Sequence, residues 1–342
     1  MTFSVPGSLA WTIVLFVVGL GLICVAGDKF VDAAVAIAKR LKIPQIVVGA
    51  TIVSLGTTLP EILVSTTAVL GSAQSPEISV GNALGSIICN TALIAGIGQL
   101  IRPAKDVKSK SVGWRMLFFV GAAVLLFLTV LFTPESDFIN KAGKTERAVG
   151  TIVRAVGIVL VLGFAAYTFL SIRWKDSDGE SDFDESGKIM PMWAALLMLA
   201  VSAAGLFVGA NLLVENGQLL ALRMGVPENV IAVTLIALGT SLPELVTTVT
   251  SAIKGQGDVG LGNIIGANLF NMLLVIGIPS TITGNIVFTA KAQYIDLPLA
   301  LLVMVGLIVP MLLRKKGSRV HGAILVLVYA AYCVYSFLAV GA

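Results

Sequence analysis

The fold is decided by two copies of one sequence pattern, VVGATIVSLGTTLPEILVSTTAVL (47–70) and VIAVTLIALGTSLPELVTTVTSAI (230–253). Each copy is followed by a second matched segment, GNALGSIICNTALIAGIG (81–98) in the first and GNIIGANLFNMLLVIGIP (262–279) in the second. The offset between the copies is nearly constant along both pairs of segments: 244 − 61 = 183 for Glu61 and Glu244, and 271 − 90 = 181 for Asn90 and Asn271. Since an internal repeat determines the architecture of a chain, we expect two related halves.

The composition places both halves in a lipid bilayer. Of the 342 residues, 57% are hydrophobic and 12% are charged, whereas a soluble domain usually carries about 25% charged residues. Apolar runs of roughly 20 residues, the length that crosses a bilayer, recur along the chain. The sequence therefore predicts an all-α membrane protein of about ten transmembrane helices, and it gives no reason to invoke nucleic acid. The predicted spans are 8–36, 44–70, 79–101, 113–133, 149–171, 190–219, 227–253, 260–281, 292–313 and 319–340.

Equivalent positions in the two halves are separated by five predicted helices. Because five is odd, the halves must cross the membrane in opposite directions, which is the inverted-repeat arrangement of many transporters. We divide the chain into a first repeat (1–172), an acidic cytosolic connector (173–189) and a second repeat (190–342). The spacing of acidic residues in the connector does not match an EF-hand calcium loop.

Basic residues are concentrated on alternate connections between the spans. The connections at 39–42, 102–110, 173–188, 254 and 314–319 carry most of the lysines and arginines. The positive-inside rule puts these connections in the cytosol and both termini on the outer face. We expect a multi-pass protein of the cell membrane (plasma or inner membrane).

Each repeat contains the element Gly-Thr-x-Leu-Pro-Glu, at 56–61 and at 239–244. Proline removes a backbone donor and clashes with the carbonyl four residues earlier, so we expect both helices to break or kink here. A carboxylate in an apolar span costs several kcal/mol unless it is paired or solvated, and such residues are usually functional. No basic residue lies in the same spans as Glu61 and Glu244, so a bound cation is the natural partner.

The third and eighth spans add matched amides, with Asn82 and Asn90 in one half and Asn263 and Asn271 in the other. Carboxylate, hydroxyl, carbonyl and amide oxygens together make an all-oxygen ligand set, which suits calcium and sodium and does not suit soft metals. Without an ion, two carboxylates near each other in a low dielectric favour protonation. Protons are therefore the natural alternative cargo.

These motifs resemble the alpha-repeats of the cation/calcium exchanger superfamily, specifically its sodium/calcium exchangers. The resemblance covers nearly the whole chain, including GDKFVDAA (27–34) and GANLLVENG (209–217) before each repeat. It implies a ten-helix antiporter that holds three sodium ions or one calcium ion at four mid-membrane sites, without an organic cofactor or an obligatory protein partner. Carried over position by position, it implies these ligands: Glu61, Glu244, Thr57, Thr240, Ser54, Thr58, Ala237, Ser241, Ser86, Asn90 and Asn271.

The chain departs from the family pattern at one of these ligands, Asn271, and at the nearby residue Ala267. Some relatives carry Asp where Asn271 stands, so one carboxylate is missing, which argues against potassium dependence. Some carry Ser where Ala267 stands, so the outer sodium site lacks a hydroxyl.

Three other functions were weighed against sodium/calcium exchange. A proton/calcium antiporter usually has a GNxxE-type element in place of GTxLPE. An intramembrane hydrolase would need a His-Glu-x-x-His motif, a serine elbow or a nucleophile–base pair, and none of these is present. An assembly protein would have no use for two charges at mid-membrane. We expect a transporter and not an enzyme.

Overall fold

The computed structural model describes residues 8–70, 76–104, 109–139, 145–173, 190–224, 239–284 and 286–341. Ten helices follow one another in these ranges. They are α1 (Leu9–Leu41), α2 (Gln45–Leu70), α3 (Glu77–Ile101), α4 (Ser109–Phe132), α5 (Arg154–Arg173), α6 (Met192–Arg223), α7 (Leu242–Ile253), α8 (Gly257–Thr283), α9 (Ala292–Arg314) and α10 (Arg319–Gly341). All of these except α7 are long and apolar enough to cross a bilayer within the described ranges. The prediction of about ten membrane helices is confirmed. The acidic connector from residue 174 to 189 and the first part of the predicted span 227–253, residues 227–238, lie outside the described residues.

Three short strands form an antiparallel sheet, which the sequence did not predict. The order is β1 (Ser136–Ile139), β2 (Thr145–Ile152) and β3 (Ile286–Thr289). Strand β2 contains residues of the predicted fifth span. The prediction that the fifth helix starts at residue 149 is therefore wrong, because the helix starts at Arg154. The reason is non-local pairing, because Ile152 of β2 lies opposite Ile286 of β3. The sheet therefore joins the α4–α5 connection of one half to the α8–α9 connection of the other.

Connections that carry basic residues contact one another in two groups. The Arg40 Nε donates to the carbonyl of Met190 at 2.9 Å, and the Gly317 amide donates to the carbonyl of Ala104 at 2.8 Å. The guanidinium of Arg102 lies against Gly255. We call the side formed by residues 102–104, 254–255 and 314–319 the basic face. Three alternate connections thus share a side.

Helices α1 and α6 pack extensively against each other. Glycines make the approach close, because a Cβ added at Gly19 would lie 2.8 Å from the Leu213 amide nitrogen, and one at Gly209 would lie 2.9 Å from that of Ile23. The buried apolar residues of this pair belong to a second cluster, which also contains Val48 and Val53 of α2 and Val259 of α8. The pair therefore packs directly against the helices that carry the repeat motifs.

The prolines of the two repeats behave differently. Helix α7 begins at Leu242 with Pro243 in its first turn, so the expected break is present in the second repeat. In the first repeat the helix continues through Pro60, so of the predicted break or kink the break does not occur there. Helix α2 instead changes geometry earlier, in the π-helical turn Gly49–Val53.

Candidate cation site

The site is built where α2 of the first repeat crosses α8 of the second. Glycines bring the two backbones into contact, because a Cβ added at Gly49 would lie 2.5 Å from the Val259 carbonyl oxygen, and one at Gly262 would lie 2.4 Å from that of Ile46. A side chain at either glycine would push the helices apart. This crossing sets Ser54 and Thr57 of α2 beside Asn263 of α8. The Ser54 hydroxyl donates to the Asn263 carbonyl at 3.0 Å, and the Thr57 hydroxyl donates to the Asn263 Oδ1 at 3.1 Å.

Glu61 and Glu244 come together at this crossing from opposite repeats. Both side chains have no solvent exposure, and their charges are near enough to repel each other. Both carboxylate oxygens of Glu61 and the Oε2 of Glu244 find no hydrogen-bond partner among the described residues. Two buried carboxylates with three of their four oxygens lacking a donor are costly in an apolar interior, so this arrangement favours a bound cation.

The threonines of each Gly-Thr-x-Leu-Pro-Glu element face the glutamate of the other repeat. Thr240 lies beside the Glu61 carboxylate, and Thr57 and Thr58 lie beside that of Glu244. The Thr58 hydroxyl donates to the Glu244 Oε1 over a long 3.4 Å. Their oxygens are therefore placed to share an ion with the carboxylates across the repeat interface.

Asn90 and Asn271 occupy matched π-helical turns, Cys89–Ile94 in α3 and Asn271–Val275 in α8. The turn in α3 packs against α7, and the turn in α8 packs against α2. Both side chains are fully buried, and their amide nitrogens and oxygens have no hydrogen-bond partner within the described chain. Single π-helical turns within α-helices often mark functional sites. Each amide therefore has an unpaired oxygen within a turn that packs against a helix carrying one of the glutamates.

The structure describes three of the remaining predicted ligands, Ser86, Ser241 and Ser54, and does not describe the fourth. The hydroxyls of Ser86 and Ser241 lie 3.4 Å apart and are buried. The Ser54 hydroxyl is engaged with backbone carbonyls, including that of Gly49 at 2.7 Å, so a role for Ser54 would rest on its own carbonyl. Ala237 lies outside the described residues.

Two contacts at the site were not predicted from the sequence. The Asn82 Nδ2 donates to the Glu61 carbonyl at 3.1 Å and to the Ser65 Oγ at 2.9 Å, which fixes the turn that carries Glu61. The sequence showed the matched Asn82 and Asn263, but it gave no signal that either would hold α2. Ser65 has its counterpart in Thr248 (248 − 65 = 183).

Inverted helices around two buried carboxylates, with amides and hydroxyls beside them, define the class of protein as a membrane transporter for hard cations. The sequence profile of the sodium/calcium exchanger protein family matches residues 11–173 and 194–338. The chain therefore belongs to this family, and it is a multi-pass cation/calcium antiporter.

Individual relatives agree with this assignment. The chain is 30% identical over 356 residues to the sodium/calcium exchanger MaX1 of Methanosarcina acetivorans, covering 94% of this chain and 97% of that protein. It is 32% identical to the inner membrane protein YrbG of Escherichia coli over 79% of each chain. The solved structure of the sodium-calcium exchanger NCX_Mj, soaked with Na⁺ and Sr²⁺, is similar with a TM-score of 0.75 at 28% identity. That match covers 95% of this chain and 98% of NCX_Mj.

Proposed function

We propose that the protein exchanges sodium for calcium by alternating access, with Glu61 and Glu244 as ligands that both ions share. The observation that carries the proposal is the pair of fully buried carboxylates from opposite repeats, three of whose four oxygens lack a donor in the described chain. Because both ions require the same two carboxylates, they exclude each other from the site. Mutual exclusion of this kind couples the two fluxes.

The remaining ligands are proposed from the same surroundings. Asn90 and Asn271 supply amide oxygens, Thr57 and Thr240 supply oxygens from the two repeat elements, and the other members of the set are Ser54, Thr58, Ala237, Ser241 and Ser86. All of these are oxygen ligands, as calcium requires.

The charges predict an electrogenic cycle. One calcium ion is neutralised by two carboxylates, whereas three sodium ions leave one net positive charge on the same pair. Exchange of three sodium ions for one calcium ion then moves one charge across the membrane and responds to voltage. We assign the basic face to the cytosol and both termini to the outer side.

The α1–α6 pair is the proposed moving part. Its buried residues belong to a hydrophobic cluster separate from the main core, and this cluster includes Val48 and Val53 of α2. The pair thus packs directly against a helix that holds proposed ligands. A bundle that slides past a fixed central site is one form of alternating access.

Proton/calcium antiport is the second candidate, and two residues favour it. Ala267 is fully buried and carries no hydroxyl, and Asn271 is a neutral amide. Compared with relatives that carry Ser and Asp at these two positions, the chain has fewer oxygens that sodium ions could use.

Flux measurements separate these functions. The purified protein is placed in sodium-loaded liposomes, diluted into sodium-free buffer, and followed for uptake of radioactive calcium, with potassium and proton gradients run alongside. We expect uptake that needs internal sodium and that is lost in Glu61→Gln and Glu244→Gln. The matched control is Glu135→Gln, which changes an exposed carboxylate paired with Arg147. Uptake driven by a proton gradient without sodium would refute the sodium coupling and favour the second candidate.

A further inference from the structure

Three hydroxyls continue from Glu244 along α7 toward the basic face. Thr247, Thr248 and Ser251 are at most 5% exposed, and none of their hydroxyl oxygens has a hydrogen-bond partner among the described residues. Positions 244, 247, 248 and 251 share one face of a helix. The hydroxyls therefore form a buried polar track that starts at a proposed ligand.

Hydroxyls in the other helices are of two kinds. A few also lack a partner among the described residues, but none of these continues from a glutamate: they are Thr66, Thr168, Ser171 and Ser336. Others are bonded within their own helix. Those of Thr67 and Thr129 donate to the carbonyl four residues earlier, each at 2.7 Å, which is the usual arrangement in a helix. Buried polar groups are nearly always satisfied by protein, water or an ion. The three hydroxyls of the track are therefore available to bind water or an ion.

A small cavity connects this track to the basic face. It has a volume of about 30 Å³ and lies between the ends of α3 and α7 and the start of α8, lined by Thr248, Gln99, Gly260, Ile264 and Arg102 among others. A space of this size holds a water molecule when polar partners are present. Thr248 supplies such a partner, and Arg102, which is exposed, lies at the side of the basic face.

The equivalent position in the first repeat is closed. There the Asn82 Nδ2 donates to the Ser65 Oγ at 2.9 Å. In the second repeat the corresponding atoms, the Asn263 Nδ2 and the Thr248 Oγ1, have no hydrogen-bond partner within the described chain. The pair Asn82 and Ser65 is thus hydrogen-bonded, whereas its counterpart in the inverted repeat, Asn263 and Thr248, is not. The unbonded Thr248 lies toward the basic face.

We propose that Thr247, Thr248 and Ser251 form the passage by which cations move between Glu244 and the basic face, with a hydrated cation held in transit at the Thr248 hydroxyl. The identity of the cargo as a cation rests on the function proposed above. The hydroxyl oxygens replace part of the water shell of the ion, and they release it readily because none of them is charged.

Accessibility to a thiol reagent tests the passage without relying on transport. In a chain with Cys24, Cys89 and Cys333 replaced, Thr248→Cys is exposed to a membrane-impermeant, positively charged thiol reagent from each side of the membrane. Ser65→Cys is the matched residue of the other repeat, and Lys316→Cys marks the basic face. We expect Thr248→Cys and Lys316→Cys to react from the same side, Ser65→Cys to remain unreactive from that side, and the reaction at Thr248→Cys to block calcium flux. A Thr248→Cys variant that is unreactive from the side where Lys316→Cys reacts would overturn the passage.

The hydroxyl itself is tested with Thr248→Val, which keeps the shape of the side chain. We expect the exchange rate to fall about tenfold, calcium affinity at equilibrium to remain unchanged, and Thr248→Ser to restore the rate. An unchanged rate, or a parallel loss of calcium affinity, would contradict a role in transit. If the thiol reaction occurs as expected while the unsubstituted protein shows no exchange under any gradient, the proposed function fails and the open route to the basic face stands.

Discussion

The crossing of α2 and α8 predicts that one methyl group at Gly266 disables the transporter. A Cβ at this position would lie 2.6 Å from the Ala50 carbonyl oxygen and 2.2 Å from the Ser54 Oγ, whereas ordinary contacts begin at 3.4 Å. Relieving the backbone clash alone requires the two helices to separate by about 0.8 Å (3.4 − 2.6). Overpacking of this kind costs about 1–3 kcal/mol, and a displacement near 1 Å at a site can cost roughly a hundredfold in rate.

The matched control is Gly121→Ala in α4, where no heavy atom of the described chain lies within 4 Å of an added Cβ. Both substitutions gain about 1 kcal/mol of helix propensity, so the difference between them isolates the clash. In thermal unfolding of the detergent-solubilised protein, we expect Gly266→Ala to be less stable than Gly121→Ala by about 1–3 kcal/mol. In calcium flux we expect Gly266→Ala to lose tenfold or more, and Gly121→Ala to match the unsubstituted protein. Equal stability and equal flux in the two variants would refute the close crossing.

Two further predictions concern charges at the basic face. The Lys254 Nζ lies 2.6 Å from the Asp28 Oδ1 and 2.5 Å from the Asp32 Oδ1. Partial burial opposes its charge, but hydrogen bonds to the two aspartates outweigh this and raise the pKa of Lys254, so the pairs tie α1 to the α7–α8 turn. Lys254→Met should lower stability by about 1 kcal/mol and change the exchange rate. Lys29→Met, which breaks longer pairs of 3.6 and 3.9 Å with the same aspartates, should change neither stability nor exchange rate. Equal effects of the Lys254 and Lys29 substitutions would contradict the proposal that Lys254 holds α1 to the α7–α8 turn. Arg102→Gln removes a positive charge beside the proposed passage, and it should raise sodium-driven flux from the basic face about twofold at low salt. The gain should disappear at high salt, and a gain that persists there would rule out an electrostatic cause.

The sequence predicted the parts of the fold that depend on local composition. The approximate number of helices follows from apolar length, and the inverted arrangement follows from the 183-residue offset between Glu61 and Glu244 across an odd number of spans. The three-stranded sheet was missed because it pairs β2 with β3, which lie more than a hundred residues apart. No local pattern marks such a pairing within a chain rich in helix.

The chemistry of the site could be predicted more fully than its geometry. Glu61 and Glu244 are unusual in apolar spans whatever their neighbours are, so the sequence alone singles them out as candidate ligands. The π-helical turns at Asn90 and Asn271 left no mark in the composition. The continuous helix through Pro60 was also missed, because proline alone does not determine whether the surrounding structure supports the helix. The hydrogen bonds of Asn82 depend on side-chain direction, which only the packed structure shows.

Equilibrium binding of calcium at increasing sodium concentration tests most directly whether the two ions share one pair of carboxylates. With the purified protein, we expect the apparent dissociation constant for calcium to rise steeply, toward the third power of the sodium concentration, and calcium binding to disappear in Glu61→Gln and in Glu244→Gln. Calcium binding that is indifferent to sodium, or that survives both substitutions in folded protein, would contradict the shared site.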